Sequence, residues 1–214
     1  MTIIHDQTQT RQLLEQGVAA LQLKLNPDQY NQLMSYLDLL IKWNGVYNLT
    51  SVRNPVDMVR QHLLDSLSAA FAFQHAKNIL DVGSGGGLQG IALAIVFPSA
   101  KVSLIDTVNK KTAFLHQVKA ELGLDNVTVY TGRVEQLKVV EPFDVITSRA
   151  FSELANFVNW AGHLLASGGQ MIALKGQLPE HEIAVLPAGW SISKVVAITV
   201  PGLDVQRHLL WIEQ

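Results

Sequence analysis

Ten consecutive residues, Asp81-Val82-Gly83-Ser84-Gly85-Gly86-Gly87-Leu88-Gln89-Gly90, hold the densest chemistry in the chain. Five glycines fall within the eight positions from Gly83 to Gly90. An ordinary strand-to-helix turn needs far fewer. A run this dense lets the backbone turn tightly and come close to a bound molecule. Three acids accompany it: Asp81 just before the glycines, Asp106 after Ser103-Leu104-Ile105, and Glu135 after Gly132-Arg133-Val134. Gly85, Gly87 and Gly90 satisfy G-x-G-x-x-G, so a dinucleotide site must be weighed. Asp81 argues against it, because a pyrophosphate at a helix N-terminus is repelled by a neighbouring carboxylate.

S-adenosylmethionine suits these acids better. It has no phosphate and carries an ammonium and a sulfonium, which Asp81 can face. Asp106 at a strand end can accept two hydrogen bonds from ribose hydroxyls. Glu135 stands where a side chain or backbone group meets an adenine edge. Plainer roles stand beside these: a helix-capping aspartate for Asp106 and an exposed loop acid for Glu135.

The elements that must position these residues change texture near residue 75. Before it, the chain reads as helical. Leu13, Leu14, Val18, Leu21 and Leu25 recur at helical spacing in and just after Thr10–Lys24, and Asn26-Pro27 is a cap followed by a first-turn proline. Tyr30, Leu33, Met34, Leu37, Leu40 and Ile41 form the stripe of a second helix ending near Asn44-Gly45, and Pro55–Ala72 reads as a third. After Lys77, short apolar strands alternate with helical stretches. The strands are Asn78–Val82, Lys101–Ile105, Val127–Tyr130, Phe143–Thr147 and Gln170–Leu174. The helices are Leu88–Val96, Lys110–Leu122 and Glu153–Leu165. Ser191–Val200 and Arg207–Ile212 read as a closing hairpin. The expectation is an α/β, Rossmann-like fold of the S-adenosylmethionine-dependent methyltransferase class I type. It has a mainly parallel seven-stranded sheet over residues 76–214, a closing antiparallel hairpin, and a helical cap over residues 1–75.

Composition narrows the chemistry. The chain has 214 residues, no cysteine, 16 Lys plus Arg and 18 Asp plus Glu, for a net charge of −2. Missing cysteines remove disulfides, cysteine-ligated zinc and any thiol nucleophile, and no His-x-x-x-His spacing offers another metal site, so no metal is expected. The longest apolar run, near Ile91–Phe97, is far short of the roughly 18–20 residues of a membrane span, and residues 1–22 lack the apolar region of an export signal. A cytoplasmic monomer with no membrane contact is expected. Methylation of a pyrimidine ring carbon needs a cysteine nucleophile, which is absent. Exocyclic amine methylation commonly uses an Asn/Asp-Pro-Pro-aromatic loop, whereas this chain has Thr147-Ser148-Arg149-Ala150-Phe151. An acceptor with no proton to lose, such as guanine N7, then becomes attractive, and alignment carries most of the catalysis. A small-molecule methyltransferase and a non-catalytic nucleotide-binding module are the rival readings.

From about Leu37 to Ile212 the residues resemble the glucose-inhibited division protein B family, the ribosomal RNA guanine-N7 methyltransferases. The segments are Lys42-Trp43-Asn44 with Asn48-Leu49-Thr50, His62-Leu63-Leu64-Asp65-Ser66, Asp81-Val82-Gly83-Ser84-Gly85, and Lys110-Lys111 before Phe114-Leu115. Gly132-Arg133-Val134-Glu135, Ser148-Arg149-Ala150-Phe151, Ala173-Leu174-Lys175-Gly176, and Pro201-Gly202-Leu203 with Arg207-His208-Leu209 complete the set. The resemblance implies methyl transfer from S-adenosylmethionine to guanine N7 in 16S ribosomal RNA, near the decoding region, as naked RNA or in the small subunit. It implies cofactor contacts at Gly83, Leu88, Val134, Glu135 and Arg149, to which the residues themselves add Asp81, Gly85 and Asp106. Arg149 can hold either the cofactor carboxylate or an RNA phosphate. Two positions depart from the family. Gln89 stands where proline is usual. Gln61 stands where a basic residue often precedes the histidine, and Arg60 is displaced by about 100° around a helix.

RNA affinity must come from a local patch, because residues 1–70 hold five basic and six acidic side chains. The candidates are Arg53, Lys110, Lys111, Arg133, Lys175 and Arg207, with Arg149 beside them. Candidate catalytic groups are Arg149, Lys175 and His62. His62 and Asp65, three apart, are expected on one helix face, as a polar wall over the pocket or as a buried structural pair. The four tryptophans are scattered and suggest no stacking platform.

Overall fold

The computed structural model describes residues 7–149 and 152–214. Two helices lead, α1 (Gln7–Ala20) and α2 (Pro27–Tyr47). α1 stops short of Lys24, and Gln22 takes a positive φ of 55° just beyond it. Asn26 caps α2 as the Asn-Pro pair predicts. Its side chain accepts the Gln29 N–H at 2.9 Å, and Gln29 accepts the Asn26 N–H at 2.9 Å. This reciprocal box satisfies two donors that a helix start leaves open.

The third helical stretch is not one regular helix. It runs as α3 (Pro55–Met58), a π-helical turn over Val59–Leu64, α4 (Asp65–Ser68) and a 3-10 turn over Ala70–Phe73. The Asp65 N–H reaches the carbonyl of Arg60, five residues back, which is the bond of a π turn. The turn widens where the stretch is tightly enclosed: Met58, Val59, Leu63 and Leu64 are buried, and a Cβ on Gly17 of α1 would lie 2.4 Å from Leu64.

Seven strands then form one sheet: β1 (Asn78–Val82), β2 (Lys101–Asp106), β3 (Val127–Thr131), β4 (Phe143–Arg149), β5 (Leu165–Lys175), β6 (Ser191–Ile198) and β7 (Arg207–Glu213). Their order is β3-β2-β1-β4-β5-β7-β6. The first five are parallel, β7 is antiparallel to β5, and β6 is antiparallel to β7. The alternating strands and helices, and the closing hairpin, are those expected from the residues. The helices between strands are α5 (Gly90–Val96), α6 (Asn109–Leu122), α7 (Leu154–Ala161) and α8 (Glu180–Ala184). α5 begins two residues later than predicted, because residues 85–89 are spent on turns. β5 starts at Leu165, five residues earlier than predicted.

Side chains alternate across the sheet. Ile79, Leu104 and Ile172 face a core shared with α2, α5 and α6, while Leu80, Val82, Ile146 and Met171 face α7. The α2 side chains Leu33, Leu37 and Leu40 lie in the first of these cores, so the N-terminal helices and the sheet share one apolar interior.

The chain order turns back between β1 and β4. In open α/β sheets, a crevice forms beyond the strand ends at such a point. The glycine loop follows β1 there. Gly87 shows why this loop needs glycine: its φ is +77°, and a Cβ would lie 2.5 Å from Leu115 and 2.6 Å from Ile91. Gly87→Ala should therefore cost about 2–3 kcal/mol. Thermal unfolding should show a midpoint several degrees lower; an unchanged midpoint would mean that the loop accommodates a side chain.

Candidate active site

A cleft of about 570 Å³ opens beyond the ends of β1, β2 and β3. Its lining brings together Gly83, Asp106, Lys111, Arg133, Val134 and Glu135, which lie far apart in sequence. Trp160 of α7 also lines it. No spacing in the sequence marks that tryptophan, because only the packing of α7 against β5 and the turn at Val134–Gln136 brings it to the cleft.

Asp106 ends β2 and is 7% exposed. Oδ2 accepts the Gly85 N–H and Oδ1 accepts the Val108 N–H, each at 2.9 Å. The Lys111 ammonium lies 3.5 Å away. Asp106 thus ties the glycine loop to the turn before α6. Each of its oxygens has a lone pair beyond that bond. Val134 is buried at the next turn of the cleft, and Glu135 accepts two bonds from Arg133 on Oε1, at 2.7 and 3.2 Å. The Arg133 bonds hold the Glu135 carboxyl below its usual pKa.

Asp81 does not line this cleft. Its side chain falls on the α2 and α5 side of the sheet, 2% exposed, and Oδ2 accepts the Gly90 N–H at 2.9 Å. It therefore anchors the start of α5. Burial pushes its pKa up to about 7, against the opposing pull of the Gly90 N–H, Ser84 and the Arg149 charge. Gly85 and Leu88 belong to the same loop and also stand outside the cleft lining. Tyr36 of α2 reaches the loop from below, donating to the Gly86 carbonyl at 2.6 Å.

A second polar group gathers where β4 and β7 meet the π turn. Arg149 lies 3.1 Å from Asp65 and donates to Ser66 Oγ at 3.1 Å, and Arg207 donates to Asp65 at 2.7 Å. His62 is buried, with Nε2 2.8 Å from Thr50 Oγ1. Burial, and then the Arg149 charge, lower its pKa to about 4, so His62 is neutral at physiological pH.

The remaining basic candidates are dispersed. Lys175 at the end of β5 meets both oxygens of Glu182 at 2.7 and 3.0 Å and the Ser152 carbonyl at 2.9 Å. Arg53 donates to the Asn44 carbonyl at 2.8 Å and to the Asn48 side chain, and is exposed. Lys110 is exposed in the first turn of α6. Ala150 and Phe151 of the Ser148–Phe151 motif lie outside the described residues. A larger open groove of about 740 Å³ between α1 and α2 contains none of the predicted site residues.

The family described as rRNA small subunit methyltransferase G matches residues 29–210. The chain belongs to this family. A ribosomal RNA small subunit methyltransferase G of Janthinobacterium sp. (strain Marseille) is 60% identical over 206 residues, covering 94% of each chain. That of Herminiimonas arsenicoxydans is 59% identical over 206 residues, again covering 94% of each. Among solved structures, an O-methyltransferase from Bacillus cereus in complex with SAH has a TM-score of 0.59 at 20% identity and covers 94% of this chain and 97% of its own. A putative O-methyltransferase from Klebsiella pneumoniae also scores 0.59, at 16% identity, covering 98% and 100%. These likenesses show the Rossmann-like class I methyltransferase fold. No helix among the described residues is long and apolar enough to cross a membrane.

Gln89, the departure from the family proline, is 2% exposed, and neither its Nε2 nor its Oε1 has a hydrogen-bond partner among the described residues. A buried amide left unpaired costs roughly 1–3 kcal/mol. Gln89→Met should therefore hold or raise stability; a clear loss would show that the amide has a partner. The two shifted titrations oppose each other. Neutral His62 contributes stability above pH ~6.5 that is lost as the pH falls toward 4. Protonated Asp81 contributes stability below pH ~4 that is lost as the pH rises through 7. His62→Asn should remove the first, so that stability between pH 4 and 7 falls with rising pH. Denaturation of the free protein across that range is the measurement, and a variant that still gained stability toward pH 7 would contradict the assignment.

Proposed function

We propose that this protein transfers a methyl group from S-adenosylmethionine to guanine N7 in 16S ribosomal RNA of the small subunit. The observation that carries the reading is the cleft joining Asp106 to Val134 and Glu135 beside the glycine loop, in a member of this family. The residues fit an adenosyl group: a strand-end carboxylate with lone pairs left for ribose hydroxyls, an apolar wall of Val134 and Trp160, and the Glu135 acid beyond it. Gly83, Asp106, Val134 and Glu135, which line the cleft, would hold the cofactor, and Leu88 and Arg149, outside that lining, are the further contacts that the family resemblance implies. Asp81 and Gly85 would hold the loop that shapes its site. When bound, S-adenosylmethionine supplies an electrophilic methyl on its sulfonium sulfur.

The protein's own groups then act by placement. Guanine N7 presents a free lone pair, so no residue has to remove a proton from it. Alignment of the acceptor, with water excluded, is the main contribution. Neutral His62 and the Arg149 cation stand on the acceptor side, and Arg149 and Arg207 meet the RNA. Arg53, Lys110, Lys111, Arg133 and Lys175 are outer candidates for phosphate contact, of which Lys111, Arg133 and Lys175 are already paired with acids. The working form is a cytoplasmic monomer. Residues 1–75 form a helical cap on the catalytic unit of residues 76–214.

Calorimetry tests the cofactor half. The wild type should bind S-adenosylmethionine and not NAD, and Asp106→Ala should weaken that binding about tenfold or more, the worth of charge-assisted hydrogen bonds. Unchanged binding would remove Asp106 from the site. Labelled methyl offered with 16S RNA, small subunits and a metabolite extract tests the acceptor half. Label should enter the RNA, and label confined to metabolites would overturn the reading in favour of a small-molecule substrate.

A further inference from the structure

We propose that Asp65 is a positioning residue that presents Arg149 and Arg207 together, as one receptor for a backbone phosphate of the RNA substrate. The proposal rests on the reading above. Arg149 ends β4 and Arg207 opens β7, with β5 running between them. Neither strand could aim its arginine at the other's alone. Asp65 supplies the link, with one carboxylate oxygen for each: Oδ1 to Arg207 Nε at 2.7 Å and Oδ2 to Arg149 at 3.1 Å.

Burial is uneven across this bridge. The Asp65 side chain is 5% exposed, while those of Arg149 and Arg207 are 20% and 27% exposed. The anion is inside and the two cations reach outward. The other basic candidates with an acid are paired one to one: Lys111 with Asp106, Arg133 with Glu135, Lys175 with Glu182. Those pairs are neutral. Asp65 holds two arginines, and no other acid among the described residues lies within ion-pair distance of either, so the three groups by themselves carry one net positive charge, with buried Asp81 a further acid that feels Arg149. That matches one phosphodiester.

The free edges match as well. Arg207 gives Nε to Asp65 and one terminal nitrogen to the Gln206 carbonyl. Arg149 uses one terminal nitrogen for both Asp65 and Ser66, and the other reaches the Gln61 carbonyl at 3.5 Å, a bond long enough to be given up to a phosphate. A guanidinium has five N–H donors in a fixed fork, so each keeps donors in the geometry that phosphate accepts.

Asp65 is itself rigidly placed. Its N–H closes the π turn onto Arg60, and within that turn His62 is tied to Thr50. Removing the charge would leave two guanidinium groups near each other with nothing between them, and repulsion would splay them.

The test compares wild type, Asp65→Asn, Asp65→Glu and Arg207→Lys by methyl transfer to small subunits that lack the mark. Asp65→Asn should raise the KM for RNA at least tenfold, and by a larger factor than it changes kcat or the calorimetric Kd for S-adenosylmethionine. Its log KM against log salt should be shallower by about one phosphate's worth. Asp65→Glu should recover part of the KM. Arg207→Lys, which keeps the charge and loses the fork, should raise the KM too, and it serves if Asp65→Asn does not fold. An unchanged KM with only a lower Tm would make the bridge purely structural and overturn the proposal. So would a weakened cofactor Kd with normal KM. A wild type that methylates no RNA would instead overturn the proposed function.

Discussion

Asp81 leaves β1 with its carboxylate buried on the helical side of the sheet, bonded to the Gly90 N–H. That bond sets where α5 begins. Everything between the two residues must then fit in a loop of fixed span, which is why the glycines crowd there. The loop is pinned again from β2, where Asp106 takes the Gly85 N–H, and from α2, where Tyr36 meets Gly86. Two strand-end carboxylates therefore shape the loop from both sides. The cost is a charge in the interior, which burial moves to a pKa of about 7 and which the nearby Arg149 cation eases. The site's structure and its electrostatics are in this sense one arrangement.

Charge is distributed around the sheet edge in two ways. Along the cleft, basic side chains meet acids one to one, and the local field is small. Where β4 and β7 meet the π turn, one acid serves two arginines. A chain with a net charge of −2 can thus keep a positive patch at one place. Such a patch would attract a phosphate locally without making the whole chain basic. His62 adds no charge to it, because burial keeps its ring neutral.

Much of the architecture was legible in the residues because it is written in local patterns. The Asn26-Pro27 cap, the seven apolar runs and the glycine loop each need only neighbours in sequence to be recognised. Asp106 lines the cleft and accepts the N–H groups of Gly85 and Val108, while the cap position of α6 itself falls on Val108. What escaped depends on contacts between distant parts of the chain. Asp65 and Arg207 are 142 positions apart, and no spacing foretells their bond. The π turn over Val59–Leu64 leaves no mark in the regular periodicity, which predicted a plain helix there. Trp160 reaches the cleft only through the packing of α7. Lys175 is a strand-end cation in sequence, and only the fold brings Glu182 against it.

The central claim is that this cleft serves methylation of one kind of atom in one RNA. Mass spectrometry of nucleosides from 16S ribosomal RNA, from cells with and without the protein, tests it most directly. N7-methylguanosine should drop by one equivalent per 16S molecule when the protein is missing, and return when it is restored. An unchanged nucleoside profile would contradict the account.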